Sequence, residues 1–383
     1  MTRSSRNSLS AFSKRLWLWI GLLVALLPLA GVATAQAPDQ DDVRNHPWAV
    51  YTRRDALDPS LRELIFMDLL TGDLVSTRVY GARFTVAGPA VVYWDTRQNR
   101  VRMATPDGEV VDHPFIQGDD NAYRVDWVFA PDHKHVAWTL TFRDDARRLT
   151  TVTRTAKTDG SDVREVLREG PRDDGLRVVP VAFDSSNTRL YMDYQPDGLS
   201  ELTAFPQYAG LFTLDLQTGQ PEFLPDEPGN FTGAGFGAGF FLRLALNADQ
   251  NGFDLRVYDL DRGRDWIIPA LQLRGYTQAG DLLVAPNGRY AVYALASITA
   301  FGTANQQVNT LFVLVDLITM QQTPLTDPIT TFVRPAAWTE DNTAVIFTSP
   351  QIDGTWKITL TDRTLKRIAE PTFRGTLQLT LSE

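Results

Sequence analysis

The chain has 383 residues, no cysteine and a formal net charge of −9 at pH 7. Without cysteine it forms no disulfide, has no thiolate chemistry and carries no lipid on a cysteine. The acidic balance repels the phosphates of nucleic acids and anionic lipid surfaces, so we expect no nucleic-acid partner. With 43% hydrophobic residues, a chain of this length can bury a large apolar core without covalent cross-links.

The N-terminal segment is typical of a secretory signal peptide. Basic residues precede a short apolar run, Leu16 to Gly31, and small residues follow at Ala33 and Ala35. The run is about 15 residues long, whereas a transmembrane helix needs roughly 20. We predict a signal peptide over residues 1–35, removed by cleavage after its last residue, and a polar linker over 36–47. The protein is then exported to the periplasm, the cell surface or the extracellular space, without a transmembrane span. An uncleaved membrane anchor is the alternative.

A repeated unit follows the linker. Its first half is a short apolar strand, a polar turn and an alternating or aromatic-rich strand, and its second half is a further strand, a tight turn and a last strand. Such alternation, with turn residues at close spacing, predicts four short strands per unit. Clear copies of the first half are VFAPDHKHVAWTL (128–140), VAFDSSNTRLYMDY (181–194), LLVAPNGRYAVYAL (282–295) and AAWTEDNTAVIFTS (336–349).

The number and length of the units predict the architecture. About seven units of roughly 48 residues fit between Trp48 and the C-terminus, which is the spacing of propeller blades. Segments with helical periodicity are almost absent. We therefore predict an all-β fold, a β-propeller over residues 48–383 with seven four-stranded blades, while six to eight blades stay open. We expect it to be a monomer.

The repeat resembles the WD40-like propeller family that includes the translocation protein TolB and the N-terminal domains of dipeptidyl peptidases. The resemblance rests on FAPDHKHVAW (129–138), VAPNGRYAVY (284–293) and WTEDNTAVIF (338–347), which match that family's pattern Phe-Ser-Pro-Asp-Gly-Lys-x-Ile-Ala-Phe. It covers nearly all of the chain after the signal peptide and implies the fold, not a particular function. His133 departs from the pattern, because the family has a glycine at this turn, and units one, two and five are degenerate.

The histidines are interpreted as structural. His133 falls in the hairpin turn between the first and second strands of its unit, where histidine tolerates a turn conformation. A metal site formed with His135 is the alternative, but stable zinc sites use three or four protein ligands. His46 and His113 are distant in the sequence. We therefore expect no metal and no cofactor.

The two ends of the repeat region complement each other. The first unit begins with its second strand, WAVYT (48–52), whereas Gly375–Ser382 is a spare strand after the last unit. Leu377, Leu379 and Leu381 alternate with polar residues, as in a half-buried strand. We predict that this strand completes blade one and so removes two open sheet edges. A frayed tail is the alternative.

Motifs of known chemistries are missing from the sequence or lack their context. There is no Gly-x-Ser-x-Gly or Walker motif, and GAGFGAG (233–239) lacks the strand-then-helix setting of a dinucleotide site, so we interpret it as a flexible loop between blades four and five. The acidic pairs at 119–120, 144–145 and 173–174 lack the spacing of an EF-hand and are interpreted as solvated charges.

We expect a non-catalytic propeller that binds or scaffolds a protein, a glycan or an envelope component. The alternative is a propeller enzyme, lactonase-like or lyase-like, with a site at the channel mouth.

A binding surface is predicted on the face that carries the connections between blades. The loops between second and third strands share this face, and they are long at 142–148, 194–210 and 296–310. Aromatic residues in polar loops on a rigid scaffold are typical of recognition surfaces, although these rings could equally cover the blade ends. The candidate binding residues are Arg143, Tyr194, Asp197, Phe205, Tyr208, Phe301, Asn305 and Gln306.

Overall fold

The strands form a propeller of seven blades. In a computed structural model, the described residues are 46–116, 121–198, 204–227, 233–300, 303 and 305–377. They form 28 strands in seven four-stranded antiparallel sheets, which confirms the predicted all-β fold and blade number. Residues 1–45, which hold the predicted signal peptide and nearly all of the linker, lie outside the described residues. Within the described part of the chain, no helix has the length and apolar character needed to cross a bilayer.

Each sheet is one blade, and the strands are numbered in chain order. Blade one contains β1 (Trp48–Arg54), β2 (Arg62–Asp68) and β3 (Leu74–Val79), and blade two contains β4 (Gly81–Ala87), β5 (Ala90–Asp95), β6 (Arg100–Ala104) and β7 (Val110–Asp112). Blade three contains β8 (Arg124–Phe129), β9 (His135–Arg143), β10 (Leu149–Lys157) and β11 (Arg164–Arg172), and blade four contains β12 (Leu176–Phe183), β13 (Arg189–Pro196), β14 (Leu211–Asp215) and β15 (Pro221–Phe223). Blade five contains β16 (Ala234–Gly237), β17 (Phe240–Leu246), β18 (Phe253–Asp259) and β19 (Arg264–Ile268). Blade six contains β20 (Gln278–Val284), β21 (Tyr290–Thr299), β22 (Gln307–Asp316) and β23 (Gln321–Pro324). Blade seven contains β24 (Arg334–Trp338), β25 (Ala344–Thr348), β26 (Thr355–Thr359) and β27 (Leu365–Ala369), and β28 (Thr372–Leu377) follows it.

The last strand closes the ring. β28 pairs antiparallel with β1, with Leu377 opposite Trp48, so that the sheet order of blade one is β28-β1-β2-β3. The predicted closure is thereby confirmed. The strand begins at Thr372 rather than at the predicted Gly375, and residues 378–383 of the predicted strand lie outside the described residues.

The innermost strands of the blades are β28, β4, β8, β12, β16, β20 and β24, each of which is an edge strand of its sheet. Neighbouring ones contact each other around the axis, as β8 does with β12 and β20 with β24. They begin on the face that also carries the connections between blades, to which we refer as the inter-blade face. Its loops between second and third strands are 55–61, 96–99, 144–148, 197–210, 247–252, 300–306 and 349–354. The opposite, tight-turn face carries the hairpin turns 88–89, 130–134, 184–188, 238–239, 285–289 and 339–343.

The turn between β8 and β9 explains His133. This residue has φ of 56°, and the equivalent residues of blades four, six and seven, Asn187, Gly288 and Asn342, also have positive φ. The His133 amide donates to the Ala130 carbonyl at 2.9 Å, as the corresponding amides do in the other three turns. The interpretation of His133 as a turn residue is confirmed.

The glycine-rich segment 233–239 differs from the prediction. It is not a flexible loop, because Ala234–Gly237 forms β16 and pairs with β17. Glycine suits this strand because β20 passes close to it: a Cβ atom on Gly235 would lie 2.6 Å from the Leu282 carbonyl oxygen. A run of glycine and alanine has few side chains from which the alternation of a strand can be recognised, and the prediction was wrong for that reason.

The core lies between neighbouring blades. Leu244 of blade five packs in one apolar cluster with Leu282 of blade six, and Phe312 of blade six packs against Phe347 of blade seven with ring centroids 4.0 Å apart. Each fully buried side chain of this size stabilises the fold by about 1.5–3 kcal/mol. Because every blade is covered by two neighbours, ring closure completes the burial of blade one.

Candidate binding site on the inter-blade face

Charged side chains of blades two, three and four meet near the beginning of their innermost strands. Asp126 of β8 accepts a hydrogen bond at Oδ2 from Nη1 of Arg177, which belongs to β12, at 2.6 Å. Its other oxygen, Oδ1, lies 3.2 Å from Nη2 of Arg83 on β4. The same Oδ1 is 3.5 Å from Nε of Arg124 on β8. One carboxylate thus joins arginines of three blades.

This network continues outward to the loop that follows β13. Arg177 is buried, with Nε 3.1 Å from Oδ1 of Asp197 but without the alignment of a hydrogen bond. Oδ2 of Asp197 accepts hydrogen bonds from Nη2 of Arg143 at 2.6 Å and from the Tyr123 hydroxyl at 3.3 Å. The Arg143 guanidinium also lies over the Tyr123 ring, 3.9 Å from its centroid. The structure therefore brings the two predicted candidates Arg143 and Asp197 together.

The backbone directs Arg83 into the network. The register of β4 against β5 shifts between Ala82 and Thr85, and Arg83 has φ of 57°. Such a bulge turns a side chain away from the regular alternation of a strand, and positive φ at a residue with a side chain costs about 1–2 kcal/mol. The guanidinium offsets this cost through its ion pair, a hydrogen bond to the Val125 carbonyl, and its position 4.2 Å from the ring centroid of Trp127.

Arg83 is accessible to solvent and yet surrounded by protein. Its side chain is 38% exposed. Burial nevertheless lowers the pKa of the guanidinium; Asp126 opposes this shift, and Arg124 and Arg177 add to it.

A second group of arginines lies on blade one. Arg374 occupies the position where the register of β28 against β1 shifts, and its Nε donates to Oγ1 of Thr52 at 2.8 Å. Burial lowers the pKa of Arg374 to about 10; Arg62 and Arg54 add to this shift, and Asp353 opposes it. Among the described residues, no carboxylate oxygen lies within 4.0 Å of the Arg374 guanidinium. This cation is therefore only weakly compensated.

Tyr208 lies beside an ion pair on the same face. Arg334 of β24 binds the Asp281 carboxylate of β20 through two hydrogen bonds. Burial raises the pKa of the Tyr208 phenol, Asp193 and Asp281 raise it further, and Arg334 lowers it. Asp193 also accepts a hydrogen bond from the Gly210 amide at 2.9 Å, which holds the end of the loop that carries Tyr208.

Phe205 and Tyr194 belong to the core more than to a surface. Phe205 is 1% exposed and packs against Phe332, with ring centroids 5.1 Å apart. Tyr194 is half-buried and lies against Phe212, with ring centroids 4.9 Å apart. These positions agree with the alternative that such rings cover the blade ends.

The remaining candidates lie in the loop between β21 and β22. The strands extend to Thr299 and from Gln307, so this loop is shorter than predicted. Asn305 and Gln306 are exposed in it. Phe301 lies outside the described residues. Besides the network around Asp197, Asn305 and Gln306 are therefore the predicted polar binding residues that the structure exposes on the inter-blade face.

Five residues of this face share a sequence feature that the prediction overlooked. An arginine occurs within the first three residues of the innermost strand in five of the seven blades. A basic residue just before the apolar positions of a first strand is therefore the signal that points to this site. The residues are Arg83, Arg124, Arg177, Arg334 and Arg374.

The tight-turn face carries two clefts between neighbouring blades. One, of about 660 Å³, is lined by Trp266, Ile318 and Met320 among others, and lies between blades five and six. The other, of about 420 Å³, includes His135 and Asn187 and lies between blades three and four. In the described part of the chain, no group of three histidine, aspartate or glutamate side chains could hold a metal ion.

Comparisons with known proteins support the fold. No protein-family model matches the chain, and no curated protein sequence matches it. Among solved structures it is similar to a prolyl endopeptidase, with a TM-score of 0.57, 10% identity, and coverage of 88% of this chain and 53% of that one. It is also similar to a protein named as a 6-phosphogluconolactonase from Bacteroides uniformis, with a TM-score of 0.51, 11% identity, and coverage of 87% and 99%.

TolB from Acinetobacter baumannii is another similar structure, with a TM-score of 0.42, 12% identity, and coverage of 86% of this chain and 81% of that one. The chain spans about half the length of the prolyl endopeptidase that it matches. At these identities the likenesses concern the propeller fold. The two structures with TM-scores above 0.5 agree with the predicted propeller fold, and the likenesses assign no activity.

Proposed function

We propose that this chain is an exported, non-catalytic binding propeller that recognises a protein or a glycan outside the cytoplasm through its inter-blade face. The observation that carries the proposal is the group formed by Tyr123, Arg143 and Asp197. Tyr123 is 49% exposed and the Arg143 side chain is 38% exposed, and both are held by the same carboxylate. Exposed tyrosine and arginine residues that are fixed before binding are the usual anchors of recognition surfaces.

The contribution of two blades to this group supports a binding role. Tyr123 and Arg143 come from blade three, whereas Asp197 follows the second strand of blade four. A loop contact between blades places the side chains on a rigid frame, so a ligand does not have to order them. Asn305 and Gln306 offer further polar groups on the same face.

Capture from the native envelope tests the binding face. We expect tagged protein to co-purify a protein or glycan component, and Arg143→Ala to lose it without a change in melting temperature. Arg289→Ala is a matched control on the tight-turn face, because Arg289 also pairs with an aspartate, Asp316, at 3.5 Å and lies over a tyrosine. Loss of capture in Arg289→Ala but not in Arg143→Ala would place the partner on the other face and overturn the proposal.

Export and the absence of catalysis, the two other components of the proposal, are tested separately. N-terminal sequencing of the mature protein should begin at Gln36, and a retained Met1 in the membrane fraction would contradict export with cleavage. The purified protein should show no turnover of a panel of lactones and uronate glycans. Saturable turnover that follows the protein through purification would favour the enzyme instead.

A further inference from the structure

The charges of the network around Asp126 and Asp197 do not balance. Two carboxylates face four guanidinium groups, which leaves two positive charges in excess. The formal charge of the whole chain is −9, so this excess is not a general property of its surface. The four arginines are Arg83, Arg124, Arg143 and Arg177.

One of the four arginine side chains is buried, and the other three are partly exposed to solvent. The side chain of Arg177 is 1% exposed, and its guanidinium is held between the two carboxylates. Those of Arg83 and Arg124 are 38% and 29% exposed. A guanidinium has five N–H donors, and for Arg124 the contact with Asp126 is the one ion pair among the described residues. Donors therefore remain for a ligand.

Arg83 and Arg124 approach the same oxygen of Asp126 from two neighbouring blades. Their contacts with Oδ1 are 3.2 Å and 3.5 Å, so the two guanidinium groups are neighbours. One carboxylate neutralises only one of these two cations, so the three groups together keep a net positive charge. A second anionic group that reached both guanidinium groups would neutralise that charge, and planar guanidinium forks match the paired oxygens of carboxylates and phosphates.

We propose that Arg83 and Arg124 form a binding site for an oxyanion, a carboxylate or phosphate group of the ligand, and that Asp126 and Arg177 position them. The inference rests on the proposed function, since it names the chemical group that the inter-blade face recognises. The bulge at Arg83 fits this role, because it turns the side chain toward Asp126, the carboxylate that Arg124 also contacts. The competing explanation is that the arginines only join the blades.

Titration calorimetry with inorganic phosphate and with glucuronate, at an ionic strength held constant with sodium chloride, tests the site. The two probes separate the sources: phosphate represents a phosphorylated ligand, and glucuronate an acidic glycan. We expect saturable binding of at least one probe. The double variant Arg83→Gln/Arg124→Gln should weaken that binding roughly tenfold or more, because two charge-assisted hydrogen bonds are lost. Arg289→Gln, the control on the tight-turn face, should bind like the wild type.

Asp126→Asn separates an anion site from a structural contact. If the site binds an oxyanion, Asp126→Asn should strengthen binding several-fold, because it keeps a side-chain oxygen for Arg83 and Arg124 and removes the competing negative charge. If the arginines serve only to join blades, probe binding is absent from the wild type and from this variant alike. Melting curves of every variant identify any that fail to fold. Arg124→Lys keeps the charge but not the planar fork, so it should weaken binding less than Arg124→Gln does.

The outcomes distinguish this inference from the proposed function. Absence of saturable binding for both probes, or equal weakening by Arg289→Gln, overturns the oxyanion site. Capture of a partner by the wild type that neither probe displaces would leave the binding function standing without this site. Probe binding without a captured partner would support the oxyanion site and count against a macromolecular partner.

Discussion

The two faces of the ring satisfy their polar groups in different ways. On the tight-turn face, Asp316 accepts hydrogen bonds from the amides of Ile318 and Thr319 at 2.9 Å and 3.0 Å, so the partners are two and three residues away. On the inter-blade face, Asp126 is bonded to Arg177, which is 51 residues away and in another blade. Local turns repeat from blade to blade, whereas ion pairs between blades differ around the ring. Hydrogen bonds between blades also occur on the tight-turn face, as from Asn187 to Asp132, but ion pairs between blades such as Arg177–Asp126 and Arg334–Asp281 lie on the inter-blade face.

The largest effect is expected from opening the ring, on which both faces depend. Deletion of residues 372–383 removes the innermost strand of blade one, including the fully buried Leu377, and exposes the edge of β1. We expect aggregation or a loss of several kcal/mol in the free energy of unfolding. Thermal melting with light scattering measures it, and a synthetic peptide of the deleted sequence, added in trans, should restore part of the loss. A truncated protein that melts like the full chain would contradict closure.

The next largest effect compares one charged residue of each face, Arg177 and Asp316. Arg177→Met should cost about 3–5 kcal/mol, because two carboxylates lose a buried partner. Asp316→Ala on the tight-turn face should cost only about 1 kcal/mol, since it removes hydrogen bonds within a solvated turn. Urea unfolding measures both variants. Equal costs would show that the two faces do not differ in the way described.

A pH-dependent effect is expected at Asp193 on the inter-blade side. Burial raises the pKa of Asp193 to about 6, and the Gly210 and Ala209 amides oppose this shift. An unfolded aspartate titrates near 3.9, so between about pH 4 and 6 the folded state holds a proton that the unfolded state has lost. This contribution to stability is present below pH 4 and is lost as the pH rises through 6.

Asp193→Asn removes that dependence. Between pH 4.5 and 7.5, we expect the wild type to lose about 2 kcal/mol of unfolding free energy relative to the variant. Urea unfolding at several pH values measures the difference in unfolding free energy between the two proteins. The contributions of the other titrating groups are the same in both proteins and cancel in this difference. Parallel curves for the two proteins would mean that Asp193 is ionised in the folded state with little cost.

The smallest effect on stability is expected from substituting glycine for two residues with nearly the same positive φ. These are His133 on the tight-turn face, with φ of 56°, and Arg83 on the inter-blade face, with φ of 57°. His133→Gly should raise stability by about 1 kcal/mol, because it relieves positive φ in a turn. The same change at Arg83 should lower stability, because its ion pair and ring contact are lost with the side chain. Thermal melting of both variants gives the signs. A gain at Arg83 would show that its contacts with Asp126 contribute less than the strain.

Most of the fold could be predicted because its signals are local. Alternation with period two, repeated turn residues and a spare last strand indicated the blades, their number and the closure at β28. The position of His133 followed from the same turn pattern. The glycine segment 233–239 was predicted wrongly, because a strand without large side chains shows no alternation and is recognised only by the strand that packs against it.

The sequence by itself determined the repeat, the turns and the closing strand, since each is visible as a local pattern of apolar and turn residues, although the closing strand pairs with β1 at the other end of the ring region. Only the tertiary structure decided which side chains meet. Phe205 was expected in a loop surface, but it is buried against Gly280, where even a Cβ atom would lie 2.4 Å from the Cβ of Phe205. Arg83, Asp126 and Arg177 lie on three different blades, and they meet because innermost strands converge on the axis. Such contacts depend on the ring geometry, which no single repeat contains.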